Sequence, residues 1–314
     1  MGRCIPGSCA VSGLIQARDT VCCPLCGIRP SRPWTRDGGW TVVRCSGCDL
    51  LITWPRPDDS TLAGIYGDQR YYEGRSMGCC ARAAWTQRAR AILETLGFSL
   101  RSVLDFGAGE GHLVNALREM GLAAEGIETS PFGRAVARRM YDLELRAEVP
   151  ADPCGQFQLV TLIHSLEHVA DPVGTLTELR ALVEPGGMVF IEVPHAGSVD
   201  IWWPRRRREI LDLPLHLYHF VPATLVRVVE RAGLRVVEVR LSNPDILEWA
   251  LKKRARWRNV EGAGEGIAGG AEAGWSPSNT APGSVRSLWA SRMLPWIRRH
   301  FPGGKLQLLA TRSS

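Results

Sequence analysis

From residue 101 onward, short apolar runs alternate with amphipathic stretches, and this alternation leaves few folds open to the chain. The apolar runs have the length of buried strands, and several stretches between them carry apolar residues at helical spacing. Such alternation is typical of a doubly wound, largely parallel sheet covered by helices. We predict an α/β fold with strands at 102–106, 123–128, 157–163, 188–193, 234–241 and 305–312, and helices near 110–120, 131–141, 172–183 and 222–232.

Length and composition agree with this prediction. The chain has 314 residues, 45% of them hydrophobic, which suits one catalytic domain with a small appendage. No apolar run reaches the roughly 18 residues of a membrane-spanning helix. The start, MGRCIPGSCAVSG, is too polar for a signal peptide. We therefore expect a cytoplasmic protein that does not act on a membrane. The net charge of +6 is modest for this length and does not identify a partner.

Changes in composition suggest the domain boundaries. The Gly- and Ala-rich stretch 259–281 lacks apolar periodicity, so we expect it to be a mobile insertion. The predicted parts are a disordered leader over 1–20, a small Cys-rich domain over 21–57, a helical linker or cap over 58–100, and a catalytic domain over 101–314.

The segment VLDFGAGEGH, which joins the first predicted strand of the sheet to a helix, carries the most chemical information. It contains an acid and three glycines at alternate positions: Asp105, Gly107, Gly109 and Gly111. Glycines let the backbone pass close to a ligand and adopt positive φ. The spacing G-x-G-x-G differs from the G-x-G-x-x-G of dinucleotide-binding proteins. Asp105 is instead placed to hold the ammonium of an amino-acid moiety, directly or through water. Glu128, at the end of the next strand, can accept hydrogen bonds from both hydroxyls of a ribose.

These segments resemble the class I S-adenosylmethionine-dependent methyltransferases. VLDFGAGEG is similar to the first motif of that family, and GIETS is similar to the second. FQLVTLIHSLEHVADP resembles its fourth-strand segment, LVEPGGMVFIEVP its fifth strand, and KLQLLATR its closing strand. The resemblance covers about 102–241 and 303–312. It implies a Rossmann-like sheet of seven strands in which the last strand is antiparallel.

The resemblance also implies positions in a site for S-adenosylmethionine. Asp105 and the three glycines match the turn beside the methionine part of the cofactor, and Glu128 matches the acid that binds the ribose. His164 lies near the tip of the fourth strand, beside the expected position of the sulfonium. For the acid that often contacts the adenine amine, our candidate is Glu148.

Two CxxC pairs stand near the start of the chain. They consist of Cys23 with Cys26 and Cys45 with Cys48, and 18 residues separate the pairs. Tetrahedral Zn²⁺ takes four thiolates, and this spacing falls in the zinc-ribbon range. We predict a small N-terminal zinc ribbon whose Zn²⁺ is structural, because four protein ligands leave no open position. Cys22 is an alternative to Cys23 as a ligand.

The order of ribbon, helical segment and catalytic domain resembles a group of bacterial methyltransferases that includes sugar C-methyltransferases. In that group a Tyr-rich segment precedes the catalytic domain, so Tyr71 or Tyr72 would cover the cofactor or substrate, with simple aromatic packing as the alternative. LPLHLYHF follows the fifth strand, where such folds build the acceptor wall, and His216 matches the catalytic histidine of that group. Leu213 and Leu215 replace the group's Tyr and Glu, so C-methylation is not implied.

Methyl transfer to an oxygen or carbon acceptor requires removal of a proton, and a histidine suits this task at neutral pH. We predict His216 as the general base and His219 as the next candidate; a histidine hydrogen-bonded within a loop is the structural alternative. The predicted function is methyl transfer to a small molecule such as a sugar, a nucleotide sugar or a natural-product scaffold. An RNA methyltransferase is one alternative, although 21–57 carries only a small excess of arginine over aspartate. A zinc-ribbon binding protein without activity is another.

Overall fold

The computed structural model describes residues 22–30, 32–37, 39–58, 60–62, 81–96, 100–150, 155–242 and 303–312. The predicted leader 1–20, the insertion 259–281 and both Tyr71 and Tyr72 lie outside the described residues.

The helices and strands follow the predicted alternation, and five of the six predicted strands of the catalytic part match to within one residue at each end. The remaining strand, predicted at 188–193, is longer than expected and runs from Val183 to Pro194. In chain order the elements are β1 (Arg32–Asp37), β2 (Trp40–Arg44), β3 (Leu51–Trp54), α1 (Ala81–Leu96), β4 (Ser102–Phe106), α2 (His112–Glu119), β5 (Ala123–Ile127), α3 (Pro131–Tyr141), β6 (Phe157–Ile163), α4 (Pro172–Leu182), β7 (Val183–Pro194), α5 (Pro204–Leu211), β8 (Tyr218–His219), α6 (Pro222–Arg231), β9 (Leu234–Leu241) and β10 (Lys305–Arg312).

The main sheet has the order β5-β4-β6-β7-β10-β9. The first four strands are parallel, and β10 is antiparallel to both β7 and β9, as predicted for the last strand. The prediction of seven strands is wrong for the described part of the chain, which has six strands in this sheet. At the seventh position, Arg146 forms a single parallel bridge with Ile127. Exposed polar residues flank this bridge, and the segment pairs only at the sheet edge.

The three-stranded unit near the N-terminus gains a fourth strand from the catalytic part. β1, β2 and β3 are antiparallel, and β3 also pairs with β8, with Leu51 opposite His219 and Ile52 opposite Tyr218. The two parts share one apolar core, in which Leu50 of the N-terminal unit packs in the same cluster as Phe220. Arg227 of α6 donates a hydrogen bond to the carbonyl of Cys48, 3.1 Å away. The N-terminal unit is therefore part of the wall that carries the predicted catalytic histidines.

None of the helices in the described part of the chain combines the length and the apolar character needed to cross a membrane.

Candidate functional site

The turn after β4 has the conformation that its glycines were expected to provide. Gly107, Gly109 and Gly111 have φ values of 75°, 55° and 77°, which side chains of L-residues rarely adopt. A Cβ added to Gly107 would lie 2.2 Å from Oγ of Ser165, so the turn passes directly against the segment after β6. A Cβ added to Gly109 would meet open space. The turn therefore packs tightly at its first glycine and faces a cavity at its second.

Glu128 connects this turn to the start of α3. Its Oε2 accepts a hydrogen bond from the backbone N–H of Gly109, and its Oε1 accepts one from the N–H of Ser130, both at 2.7 Å. Each carboxylate oxygen has a second lone pair, so the side chain can hold the turn and still accept two ribose hydroxyls.

Asp105 lies in β4 directly behind the turn and is buried. Its Oδ1 accepts a hydrogen bond from Oγ1 of Thr161, 2.7 Å away. The pKa of Asp105 is raised to about 7, because burial and the charge of Glu128 outweigh the Thr161 hydrogen bond and the charge of Arg88, which lower it. Asp105 is therefore a carboxyl that a cationic ligand would help to ionise.

A cavity of about 370 Å³ opens above the turn, which is in the size range of small-molecule sites. Among the described residues, its lining does not include Glu148, whose side chain is exposed. The lining residues are Phe106, Gly107, Gly109, Ile127, Glu128, Thr129, Ser130, His164, Ser165, His168, Val169 and Ala170. The cavity thus brings together two of the predicted glycines, Glu128 and His164.

His164 also lines a second, smaller cavity of about 190 Å³. The other charged residues that line it are Asp200, Arg206, Glu209 and Lys305. His164 is the residue that the two linings share, so it borders both spaces.

His164 has the left-handed backbone conformation, with φ at 54°, which is uncommon for a residue with a side chain. Its Nδ1 lies 3.4 Å from Oε1 of Glu167, and its Nε2 lies 3.2 Å from Oε1 of Glu192. Burial lowers the pKa of His164, but the two carboxylates outweigh it and raise the pKa to about 9. Glu192 is itself buried and paired with Arg88. The structure thus places His164 as a cation between two acids.

Three further histidines surround Glu167, and we call His168, His216, His219 and Glu167 the histidine cluster. Nδ1 of His168 lies 3.1 Å from the carbonyl oxygen of Leu215, and Nδ1 of His216 lies 2.9 Å from that of Ile210. A carbonyl oxygen only accepts hydrogen bonds, so both Nδ1 atoms carry a proton, and in the neutral form of either ring the lone pair lies on Nε2.

His219 is held by the N-terminal unit. Its Nε2 lies 2.9 Å from Oγ1 of Thr53, and the Thr53 hydroxyl donates its own hydrogen to the carbonyl of His216. Nε2 of His219 must therefore be the donor toward Thr53. Burial, followed by the charge of His216, lowers the pKa of His219 to about 3 and that of His168 to about 4. Both rings are consequently neutral at pH 7.

The predicted catalytic residues His216 and His219 are 6% and 3% exposed and do not line either cavity. His168, whose ring centroid lies 4.8 Å from that of His216, does line the first cavity. His216 is thus close to the site without reaching it.

The four cysteines of the two CxxC pairs converge. Cys23 lies 3.4 Å from Cys48, and Cys26 lies 3.4 Å from Cys45, measured between sulfurs. All four sulfurs are within 4.8 Å of one another. Four sulfurs at 2.3 Å from a tetrahedral Zn²⁺ are roughly 3.8 Å apart, so the cluster is compatible with a zinc ribbon. Cys22, the alternative ligand, is not in the cluster.

Sequence reasoning missed Glu167, Glu192 and Thr53. Glu167 and Glu192 are both fully buried, and they lie in apolar stretches where a charged residue is rare. A charged residue in an apolar stretch is thus the sequence signal that could have identified both acids. No such signal marks Thr53, because its partners His216 and His219 are 163 and 166 residues away along the chain.

Comparison with known proteins gives a consistent result. A family model described as a methyltransferase domain matches residues 80–239. A ubiquinone biosynthesis O-methyltransferase from Bordetella avium is 31% identical over 168 residues, which are 49% of this chain and 68% of that protein. The protein of the same name from Pseudomonas paraeruginosa is 37% identical over 114 residues, 33% of this chain and 49% of that protein. The chain thus spans about half the length of the first curated relatives that it matches.

The fold is also found among solved structures. A SAM-dependent methyltransferase from Archaeoglobus fulgidus superimposes with a TM-score of 0.52 at 17% identity, over 78% of this chain and 100% of that chain. At this identity the likeness concerns the fold alone.

Proposed function

Because the chain belongs to the class I S-adenosylmethionine-dependent methyltransferases, we propose that it methylates an oxygen of a small-molecule acceptor. A sugar, a nucleotide sugar or a natural-product scaffold fits the proposal. The choice of oxygen is supported by the relatives named O-methyltransferases. We further propose that the Cys₄ cluster holds a structural Zn²⁺.

One observation supports this function above the others: the glycine turn and Glu128 border one cavity, and His164 lines both that cavity and a second one. We assign the first cavity to the cofactor and the second to the acceptor. Asp105 would hold the ammonium of the cofactor, and Glu128 would accept the ribose hydroxyls. No role is proposed for Glu148.

S-adenosylmethionine supplies an electrophilic methyl group, which the acceptor oxygen attacks in line as the carbon–sulfur bond breaks. The residues of the chain hold the two reactants in contact and exclude water. His164, as a cation at the junction of the cavities, would stabilise an acceptor oxygen that has lost its proton. His216 is proposed to act in the acceptor chemistry through His168 and Glu167, because its ring does not line either cavity.

The proposed function is tested with the full chain. Calorimetry should detect S-adenosylhomocysteine binding at one site, and a set of hydroxylated sugars, nucleotide sugars and phenols should include one that gains a labelled methyl group. His216→Ala should reduce turnover strongly with little change in cofactor affinity. Labelling of RNA but of no small molecule would contradict the proposed acceptor class, and absence of S-adenosylhomocysteine binding would contradict the cofactor site.

The pH dependence of cofactor affinity should follow Asp105. Its pKa is raised to about 7, so the carboxyl is ionised above that pH and neutral below it. Only the ionised form attracts an ammonium, so affinity should be lost as the pH falls. With a pKa of about 7, calorimetry should find S-adenosylhomocysteine binding roughly 30-fold weaker at pH 5.5 than at pH 8. Asp105→Asn should bind weakly at both values, and an equally steep pH profile in that variant would exclude Asp105 as its cause.

A further inference from the structure

We propose that Glu167, His168 and His216 form a second metal site, separate from the cysteine cluster, for a divalent transition-metal ion. Each of the three residues offers one ligand atom, and these atoms all lie within 4.8 Å of one another. Ligand atoms at about 2.1 Å from an ion are roughly 3 to 4 Å apart. Small rotations of the side chains would therefore complete the site.

Both histidines are oriented as metal ligands usually are. Their Nδ1 atoms donate to the backbone carbonyls of Leu215 and Ile210, which fixes the lone pair on Nε2. Metal-bound histidines generally donate their other N–H to such a partner. Nε2 of His216 lies 3.9 Å from Oε1 of Glu167, a distance that a shared ion can span.

Glu167 provides an independent observation. Its residue is 0% exposed, and neither carboxylate oxygen accepts a hydrogen bond within the described part of the chain. Its nearest charged neighbour is Nδ1 of His164, at 3.4 Å and without hydrogen-bond geometry. The charge of His164 compensates this buried carboxylate only in part, because neither oxygen accepts a well-formed hydrogen bond, and a coordinated cation would stabilise it further. The backbone carbonyl of Glu167 accepts hydrogen bonds from Leu217 and Tyr218, so the histidine-bearing loop is fastened beside this carboxylate.

The ligand set indicates the kind of ion. Two imidazoles and one carboxylate suit Zn²⁺, Fe²⁺ or a neighbouring first-row ion, whereas Mg²⁺ and Ca²⁺ prefer oxygen ligands throughout. The cysteine cluster differs in both respects, since it is made of thiolates and its four positions are filled by protein. Three protein ligands instead leave coordination positions open.

The role of this ion, though not its binding, rests on the proposed function. His168 lines the cofactor cavity, so an open coordination position would lie close to where acceptor and cofactor meet. An acceptor hydroxyl bound there would lose its proton to water more readily, and the resulting oxygen anion would be the nucleophile. This gives the buried His216 a place in the reaction as a ligand.

Metal content tests the site directly. The full chain is equilibrated with Zn²⁺, Co²⁺, Mn²⁺ or Fe²⁺ under anaerobic conditions, freed of unbound ion, and analysed by inductively coupled plasma mass spectrometry. We expect two ions per wild-type chain with at least one of these metals and one ion in Glu167→Gln, whose affinity at the second site should fall at least 100-fold. His168→Asn should give the same loss. His195→Asn is the matched control, since His195 is also a histidine whose Nδ1 faces a backbone carbonyl, but it lies outside the cluster.

The outcomes separate this site from the proposed function. One ion per wild-type chain with every metal offered, or two ions in both ligand variants, would overturn the site, even if S-adenosylhomocysteine binds and methyl transfer occurs. Two ions in the wild type and one in a folded ligand variant would support the site, even if no acceptor is methylated. Circular dichroism and S-adenosylhomocysteine binding identify a variant that has not folded. In that case the number of metal ions per wild-type chain alone decides whether the second site exists.

Discussion

Glu128→Ala should weaken S-adenosylhomocysteine binding about 100-fold or more while leaving the chain folded. In the proposed complex the carboxylate accepts both ribose hydroxyls, and hydrogen bonds to a charged group contribute about 1.5–3 kcal/mol each. Loss of the pair removes at least about 3 kcal/mol, which corresponds to about two orders of magnitude in Kd. The variant also leaves the N–H groups of Gly109 and Ser130 without their acceptor, so the turn loses its fixed conformation.

Calorimetry measures this effect, and the chain offers a matched control. Glu125 lies on the same strand, is half exposed and pairs with Arg146 at 2.7 Å, away from the cavity lining. Glu125→Ala should therefore bind S-adenosylhomocysteine like the wild type. Glu128→Gln should lie between, because an amide has one acceptor oxygen and its NH₂ would face one of the two backbone donors. Equal affinity of all three variants would rule out the assigned ribose contact.

The conformation of the glycine turn could be predicted from sequence because it is local. Asp105, the three glycines and Glu128 fall within 24 residues, and the turn conformation depends on the glycines themselves. The parallel strands were predictable for a related reason, since a strand buried on both faces reads as a continuous apolar run. The prediction of a seventh strand was wrong for the described residues, because the segment at the sheet edge forms only the single bridge between Arg146 and Ile127.

The acceptor part could not be predicted in the same way, because its contacts join distant segments. The resemblance to the sugar C-methyltransferases predicts His216 as the base, yet its side chain is buried and lines neither cavity. The hydrogen bond between Thr53 and His219 joins residues 166 positions apart, and neither residue type predicts the other as its partner. Burial and pairing of this kind follow from the tertiary arrangement alone.

Loss of the metal from the cysteine cluster should abolish methyl transfer while sparing cofactor binding. Structural Zn²⁺ contributes on the order of 10 kcal/mol to the folding of small domains, so Cys48→Ala should unfold the N-terminal unit. β3 would then leave β8, and Thr53 would release both His216 and His219. Among the described residues, the lining of the cofactor cavity includes none from that unit, so S-adenosylhomocysteine should still bind within about threefold of the wild-type Kd.

Three variants distinguish a structural role of the ribbon from a general loss of stability. Cys22→Ala changes the adjacent thiol outside the cluster and should keep metal, cofactor affinity and turnover. Thr53→Val keeps the side-chain shape and the cysteine cluster but removes the hydroxyl between the two histidines, so turnover should fall while one Zn²⁺ per chain stays at the cysteines. If Cys48→Ala has lost that Zn²⁺ and still shows full turnover, the acceptor side of the site keeps its structure without the ribbon. Loss of S-adenosylhomocysteine binding in the same variant would instead mean that the two parts fold as one unit, as their shared apolar core allows.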